Sequence, residues 1–270
     1  MCSISTLRRG TGEDGQALLR AYNVKKYRAV LFDLFGTVAL FDRDKLPLFE
    51  WNGQTSRSTM GGLRPIIEQK VPGVPFAQFF TALSAVSKEL GDIRTREMQE
   101  FPSVQRFALT LLRIGLDDSS ETRGVAEELS RAHMALLAVA TTIPQSHVRL
   151  LAQAREAYRT ALISNFDHAP TARAILHQGR VVELFHHITI SDEHGLRKPH
   201  PQIFTDALAA LAVQPGEALF VGDSPHDDIL GAKGVGMDTA WVNASRVDLP
   251  EHVPAPEYTV RALPELHALL

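Results

Sequence analysis

The sequence predicts an α/β fold: a parallel sheet clothed by helices and interrupted early by an all-helical insert. Three observations lead there. The run Ala29 to Phe32 is apolar at every position, as a strand buried on both faces requires. After Pro144, strand-length apolar runs alternate with amphipathic helical segments, and such alternation builds parallel sheets. From Phe41 to Pro144 apolar residues recur at helical spacing, and no convincing strand breaks the pattern.

RAVLFDLFGTV opens the core, with Gly36 marking a tight turn beyond the strand. In the insert, FAQFFTALSAVSKEL, SVQRFALTLLRIGL and GVAEELSRAHMALLAVA read as helices. Gly61-Gly62, Pro72-Gly73 and Gly115 punctuate them. LPLFEWNGQTSRSTMGGLRP, rich in polar residues and glycine, reads as a surface connection, with Trp51 and Arg57 the first pocket residues to consider. SHVRLLAQAREA is then a helix, RTALIS a strand, and TARAILHQG a helix ended by Gly179. HHITIS is a strand, and PQIFTDALAALAV a helix with Pro201 in its first turn. EALFVGD (strand), SPHDDILGAKGVG (helix) and DTAWVN (strand) follow. The expected organisation is an N-terminal extension over 1–27, a Rossmann-like core from 28–40 and 145–270, and a helical cap over 41–144. The extension carries one short apolar patch, at Ala17, Leu18 and Leu19.

A chain of 270 residues accommodates one large domain, or a core with a smaller companion. Its 44% hydrophobic and 22% charged content argues against wholesale disorder. A net charge of -3 offers no field attractive to nucleic acid or anionic membranes. No apolar run reaches the roughly 18 residues of a spanning helix. Cys2 is the only cysteine, so no intrachain disulfide forms, which suits a reducing compartment. The opening MCSISTLRRG lacks an apolar signal region. The expectation is a cytoplasmic protein acting on a small molecule, with neither nucleic acid nor membrane as partner and its oligomeric state open.

In parallel sheets of this kind, ligands bind beyond the carboxyl ends of the strands. Asp33, Ser164, Lys198 and Asp223 all fall at or just after such ends. Taken singly, each is an ordinary turn, cap or surface residue. Together they suit nucleophilic displacement. A carboxylate attacks and forms a covalent intermediate that water hydrolyses. A hydroxyl and a cation hold the developing charge, and the distal acids bind Mg²⁺.

FDLFGTV, ISNFD, GLRKPHPQIF and FVGDSPHDDILGAKGVGM resemble, in order, the four motifs of the haloacid dehalogenase superfamily. The resemblance covers roughly 28–40 and 145–243, and the insert lies where many members carry a helical cap. It implies Asp33 as nucleophile, with Ser164 and Lys198 on the transferring group. Thr37 and Asn165 would lie near the substrate. Mg²⁺ would be held by Asp33, Asp223, Asp228 and the backbone carbonyl of Phe35. Asp227 completes an S-x-x-D pattern from Ser224 at a helix start and reads as structural, which leaves Asp228 as the functional acid.

One departure matters. Family phosphatases usually carry a second aspartate two residues after the nucleophile, to protonate the leaving oxygen, and this chain has Phe35 there. General acid–base catalysis contributes about 10²–10⁴-fold, so its loss biases substrate choice without abolishing turnover. Three readings stand. One is a Mg²⁺-dependent phosphoryl hydrolase, with Asp42, Asp44 or His168 as substitute acids. The second is a 2-haloacid dehalogenase, whose halide leaves without a proton, with Arg64 as the cap arginine; Asp223 argues against that branch, which uses no metal. The third is a non-catalytic ligand-binding module. A phosphonate-cleaving variant would need a cap lysine, and Lys45, Lys70 and Lys88 read as surface residues.

Overall fold

The computed structural model describes residues 27–270. The expected extension up to residue 26, with its apolar patch at 17–19, lies outside the described residues.

The chain enters at β1 (Ala29–Phe32) and reaches the insert through β2 (Leu40–Phe41). The insert holds β3 (Leu48–Trp51), β4 (Gln54–Arg57), α1 (Met60–Lys70), α2 (Phe76–Glu97), α3 (Ser103–Arg113) and α4 (Ser120–Val139). The return runs through β5 (Thr141–Thr142), α5 (Gln145–Ala157), β6 (Arg159–Ser164), α6 (Ala169–Gln178), β7 (His187–Ile190) and α7 (Ser191–His194). Then come α8 (Pro201–Leu211), β8 (Ala218–Gly222), a π-helical turn (Pro225–Leu230), α9 (Gly231–Gly234), β9 (Asp238–Val242) and β10 (Tyr258–Val260). β2 pairs antiparallel with β5, so the two connections to the insert run side by side.

The main sheet is ordered β10-β9-β8-β1-β6-β7, with every pairing parallel. The chain builds outward from β1 through β6 and β7, then returns to the other side of β1 for β8. That reversal beside β1 is the switch point at which parallel sheets open a crevice. Val30 and Phe32 pack with Leu150, Leu151 and Leu176 on one face. Ala29 and Leu31 pack with Ile203, Phe204 and Leu208 on the other. Helices on both faces explain why β1 is apolar at every position. Tyr27, assigned from sequence to the extension, is buried against the first of these layers, and its hydroxyl donates to Asp238.

The insert has its own apolar cluster, in which Phe49, Leu63, Ile67, Phe79, Phe107, Leu111 and Leu129 meet. It is helical as predicted, but not all-helical: β3 and β4 form an antiparallel hairpin. Asn52 and Gly53 both take positive φ (49° and 74°), the backbone of a two-residue Asn-Gly turn. Phe49 is buried and Trp51 packs on Phe80 with ring centres 4.6 Å apart, so the hairpin is sewn into the helices. Periodicity missed it because β4 is polar and exposed throughout. The Asn-Gly pair was the available signal.

Candidate functional site

The site is assembled from strand ends. Phe32 pairs with Leu162 of β6 and Val221 of β8. One residue further, Asp33 lies between the ends of both neighbours, and its amide bonds Val221 O at 2.9 Å. Ser164 ends β6, and Asp223 directly follows β8. The turn after Asp33 doubles back through Ala39 N to Leu34 O (2.7 Å) and Gly36 N to Ala39 O (2.8 Å). Gly36 has φ +86°, and a Cβ there would fall 2.2 Å from Asp223 Oδ2. Glycine is needed both for the turn and for the approach of the acid. Gly222 makes similar room for Asp228, whose Oδ2 would lie 2.3 Å from an added Cβ.

Lys198 is buried among acids. Its Nζ donates to Asp33 Oδ1 (2.7 Å), Asp228 Oδ1 (2.7 Å) and the Ile163 carbonyl (2.8 Å). An ammonium has three protons, and all are committed. Burial works against its charge, but Asp228 and Asp33 outweigh that and hold its pKa above the ordinary lysine value. Asp228 spends its other oxygen on the Ser224 amide, at 2.9 Å. Asp33 Oδ2, Ser164 Oγ and Thr37 Oγ1 are buried and take no hydrogen bond among the described residues.

Asp33, Asp223 and Asp228 each bring an oxygen within 4.8 Å of the others. Three carboxylates face one ammonium. The imbalance shows at Asp33: burial, with Asp228 and Asp223 adding to it, pushes its pKa up to about 8 against the pull of Lys198. Burial and Asp228 raise Asp223 to about 6. An all-oxygen donor set with a buried unbonded carboxylate oxygen fits a hard divalent cation such as Mg²⁺.

The helix after β8 departs from the expected cap. Ser224 Oγ accepts from Asp227 N (3.1 Å), as the S-x-x-D pattern predicts. The acid that reaches back to the Ser224 amide is instead Asp228. The segment is π-wound, with Ile229 N reaching Ser224 O at 3.2 Å, which changes the residue offset. Asp227 faces Asn165 Nδ2 at 3.2 Å, on the rim of the site.

A family model for haloacid dehalogenase-like hydrolases matches residues 27–236. The chain belongs to that family. A glyceraldehyde 3-phosphate phosphatase of Pyrococcus furiosus is 30% identical over 250 residues, covering 92% of this chain and 94% of that one. An N-acylneuraminate-9-phosphatase of Homo sapiens is 31% identical over 130 residues, covering 48% of this chain and 52% of that one. Among solved structures, a 2-haloacid dehalogenase from Pseudomonas syringae superposes with a TM-score of 0.69 at 20% identity, over 90% of this chain and 98% of that one. At that identity the likeness shows the fold.

Within this haloacid dehalogenase-like hydrolase, the structure gathers Asp33, Ser164, Lys198, Asp223 and Asp228 at one end of the sheet. Asn165 joins them through two bonds to the Lys198 backbone, at 2.8 and 2.9 Å. Phe35 lies in the turn after β1 and packs its ring on Phe166, centres 4.7 Å apart. Other named residues have different work. Asp42 caps a short 3-10 turn and Asp44 is exposed within it. His168 caps α6 through Thr171. Arg64 lies over the Phe76 and Phe49 rings, and Arg57 donates to the Leu46 carbonyl. Lys45 bonds Thr142, Lys70 pairs with Glu128 and Lys88 with Asp92, all at the surface. The Ser224 amide and Trp241, whose Nε1 donates to Asp223 O at 2.9 Å, steady the acidic side. Neither carries a sequence signal, because both are partners only across the fold. No described helix is long and apolar enough to cross a membrane.

Proposed function

We propose that this hydrolase removes phosphate from a small phosphorylated molecule with the help of Mg²⁺. The observation that carries the reading is the free, buried Oδ2 of Asp33 within a three-carboxylate cluster that one lysine leaves under-neutralised. The phosphatase names of the relatives above support it.

In this reading Lys198 holds Asp33 by Oδ1, leaving Oδ2 to attack phosphorus. The new O–P bond forms as the bond to the leaving oxygen breaks, and water then hydrolyses the aspartyl phosphate. Ser164 Oγ would donate to a phosphoryl oxygen, Asn165 would stand beside the phosphate with both Nδ2 protons held by Lys198 O and Asp227, and Thr37 Oγ1 lies in the same turn as Asp33. Asp33, Asp223, Asp228 and the Phe35 carbonyl would hold Mg²⁺. When bound, the ion supplies the positive charge that lets a dianionic phosphate approach the acids. The division into a core (28–40 and 145–270) and a cap (41–144) belongs to the same proposal, with the cap choosing the substrate.

Phe35 favours a second reading, 2-haloacid dehalogenation. Its ring has no proton to give a leaving oxygen, and halide needs none. Asp223 beside Gly36 weighs against it.

The deciding experiment is hydrolysis of p-nitrophenyl phosphate with and without Mg²⁺, beside Asp33→Asn, and halide release from 2-chloropropionate in metal-free buffer. Metal-dependent turnover lost in Asp33→Asn is the expected result. Halide release without phosphate hydrolysis would replace it with the second reading. Ligand-induced stabilisation without turnover of either substrate would leave a binding module.

A further inference from the structure

The insert touches the core at a place far along the chain from its two connections, β2 and β5. Between α2 and α3, residues 98–100 run antiparallel to residues 195–197, the approach to Lys198. Arg197 N donates to Met98 O at 2.9 Å, Glu100 N donates to Gly195 O at 2.9 Å, and Gln99 bridges Leu196. The contact centres on a carboxylate. The Glu100 side chain is 1% exposed. It lies 2.8 Å from Arg94 Nε and 3.4 Å from Arg197 NH1, and it accepts from Phe101 N (3.1 Å) and Ser191 Oγ (2.7 Å). Ser191 Oγ in turn accepts from Phe166 N at 2.9 Å.

Two loops therefore converge on one buried acid. Through Ser191, Glu100 reaches the loop that carries Ser164 and Asn165. Through Arg197, it reaches the residue before Lys198. A buried carboxylate is costly unless fully paired, and here the insert and the core each supply an arginine. Charge and hydrogen bonds are satisfied only when the insert is docked.

We infer that Glu100 is a positioning residue that makes docking of the insert and assembly of the Ser164 and Lys198 loops a single event. With the insert lifted, Glu100 leaves Ser191 and Arg197, and both loops lose a fixed partner. The inference rests on the proposed roles of those loops, and goes beyond them in assigning the insert a part in building the site as well as covering it.

The test compares the full-length protein with Glu100→Ala, Glu100→Gln and Ser191→Ala, using Arg113→Ala in the exposed Arg113–Glu89 pair as a surface control. Hydrogen exchange is followed in peptides spanning 163–168 and 194–199, and p-nitrophenyl phosphate kinetics are measured with Mg²⁺. Glu100→Ala is expected to speed exchange in both peptides. Its kcat should fall by about 10²-fold, the cost of a misplacement near 1 Å, with KM little changed. Glu100→Gln, which keeps the acceptor for Ser191, should recover part of the loss, and Arg113→Ala should match wild type. Ser191→Ala removes only the relay, so it serves if Glu100→Ala does not fold, and it should loosen the 163–168 peptide alone. Unchanged exchange in a folded Glu100 variant, or undiminished kcat, would overturn the inference. A wild-type protein silent toward the phosphate ester would sink the phosphatase reading alone, and the exchange comparison would still decide the role of Glu100.

Discussion

Asn165 clasps the main chain of Lys198 on both sides. Its Oδ1 accepts from Lys198 N at 2.8 Å, and its Nδ2 donates to Lys198 O at 2.9 Å. One side chain thus registers the loop after β6 against the loop bearing the buried ammonium. Asn165→Ala removes both bonds and leaves polar backbone groups short of partners. It should cost about 1–3 kcal/mol of stability by urea unfolding. If Asp33 is the nucleophile as proposed, kcat should fall more than KM rises, since Lys198 holds that carboxylate.

Gly36 and Asp223 share a space that admits no methyl group. Gly36→Ala adds a Cβ in the path of the Asp223 carboxylate at a residue with φ +86°. The expected result is a folded protein, destabilised by about 1–2 kcal/mol for the left-handed backbone, that has lost Mg²⁺-dependent turnover. Calorimetric titration with Mg²⁺ should show weakened binding. Wild-type affinity in this variant would remove Asp223 from the proposed metal site.

Mg²⁺ should stabilise the protein, because a cation relieves repulsion among Asp33, Asp223 and Asp228. At a hundred times the dissociation constant, the gain is about 2.7 kcal/mol. Thermal melts with Mg²⁺ and with chelator measure it. The gain should grow as pH rises from 6 to 8. Over that range the metal-free site has to ionise carboxylates whose pKa values are raised to about 6 at Asp223 and about 8 at Asp33. Asp223→Asn should abolish most of the gain.

Phe35→Asp places a carboxyl where family phosphatases carry their acid. It should raise turnover of alkyl phosphates relative to aryl phosphates, by as much as about 10²-fold within the range of general acid catalysis. Loss of the Phe35–Phe166 ring contact would lower Tm at the same time. An unchanged alkyl-to-aryl ratio would show that another group already delivers the proton.

His133 gives an acid-sensitive stability. Burial holds its pKa down at about 4, helped by the nearby charge of Arg106, and its Nδ1 lies 2.9 Å from Thr59 Oγ1. The fold prefers the neutral ring, whereas the unfolded chain takes up a proton near 6.5. The His133 contribution is complete above pH 6.5 and is lost as pH falls toward 4. His133→Gln should flatten the fall in Tm over that window relative to wild type, and parallel curves would contradict the assignment.

How much of this was legible before the fold was known differs from residue to residue. Asp33, Ser164, Lys198 and Asp223 were readable because each lies at or after the end of an apolar run, and a parallel sheet brings such ends to one edge, whereas Asp228 was singled out by the register of the family resemblance. The substitution of Phe35 for an acid was equally plain. The helices of the insert showed in their periodicity, but the β3–β4 hairpin did not, because its second strand buries nothing. The S-x-x-D pattern located a helix start, yet it could not tell that π winding would send Asp228, and not Asp227, back to Ser224.

The sequence by itself determined the α/β class, the strand ends and the set of chemical groups, since these follow from local apolar patterning and short spacings along the chain. Only the tertiary structure decided the pairings. That Lys198 spends all its protons inside the protein, and that Asn165 clasps its backbone, depends on contacts between residues far apart in the chain. The burial of Glu100 between two arginines is decided in the same way. Local propensity carries no record of such contacts, and packing fixes them.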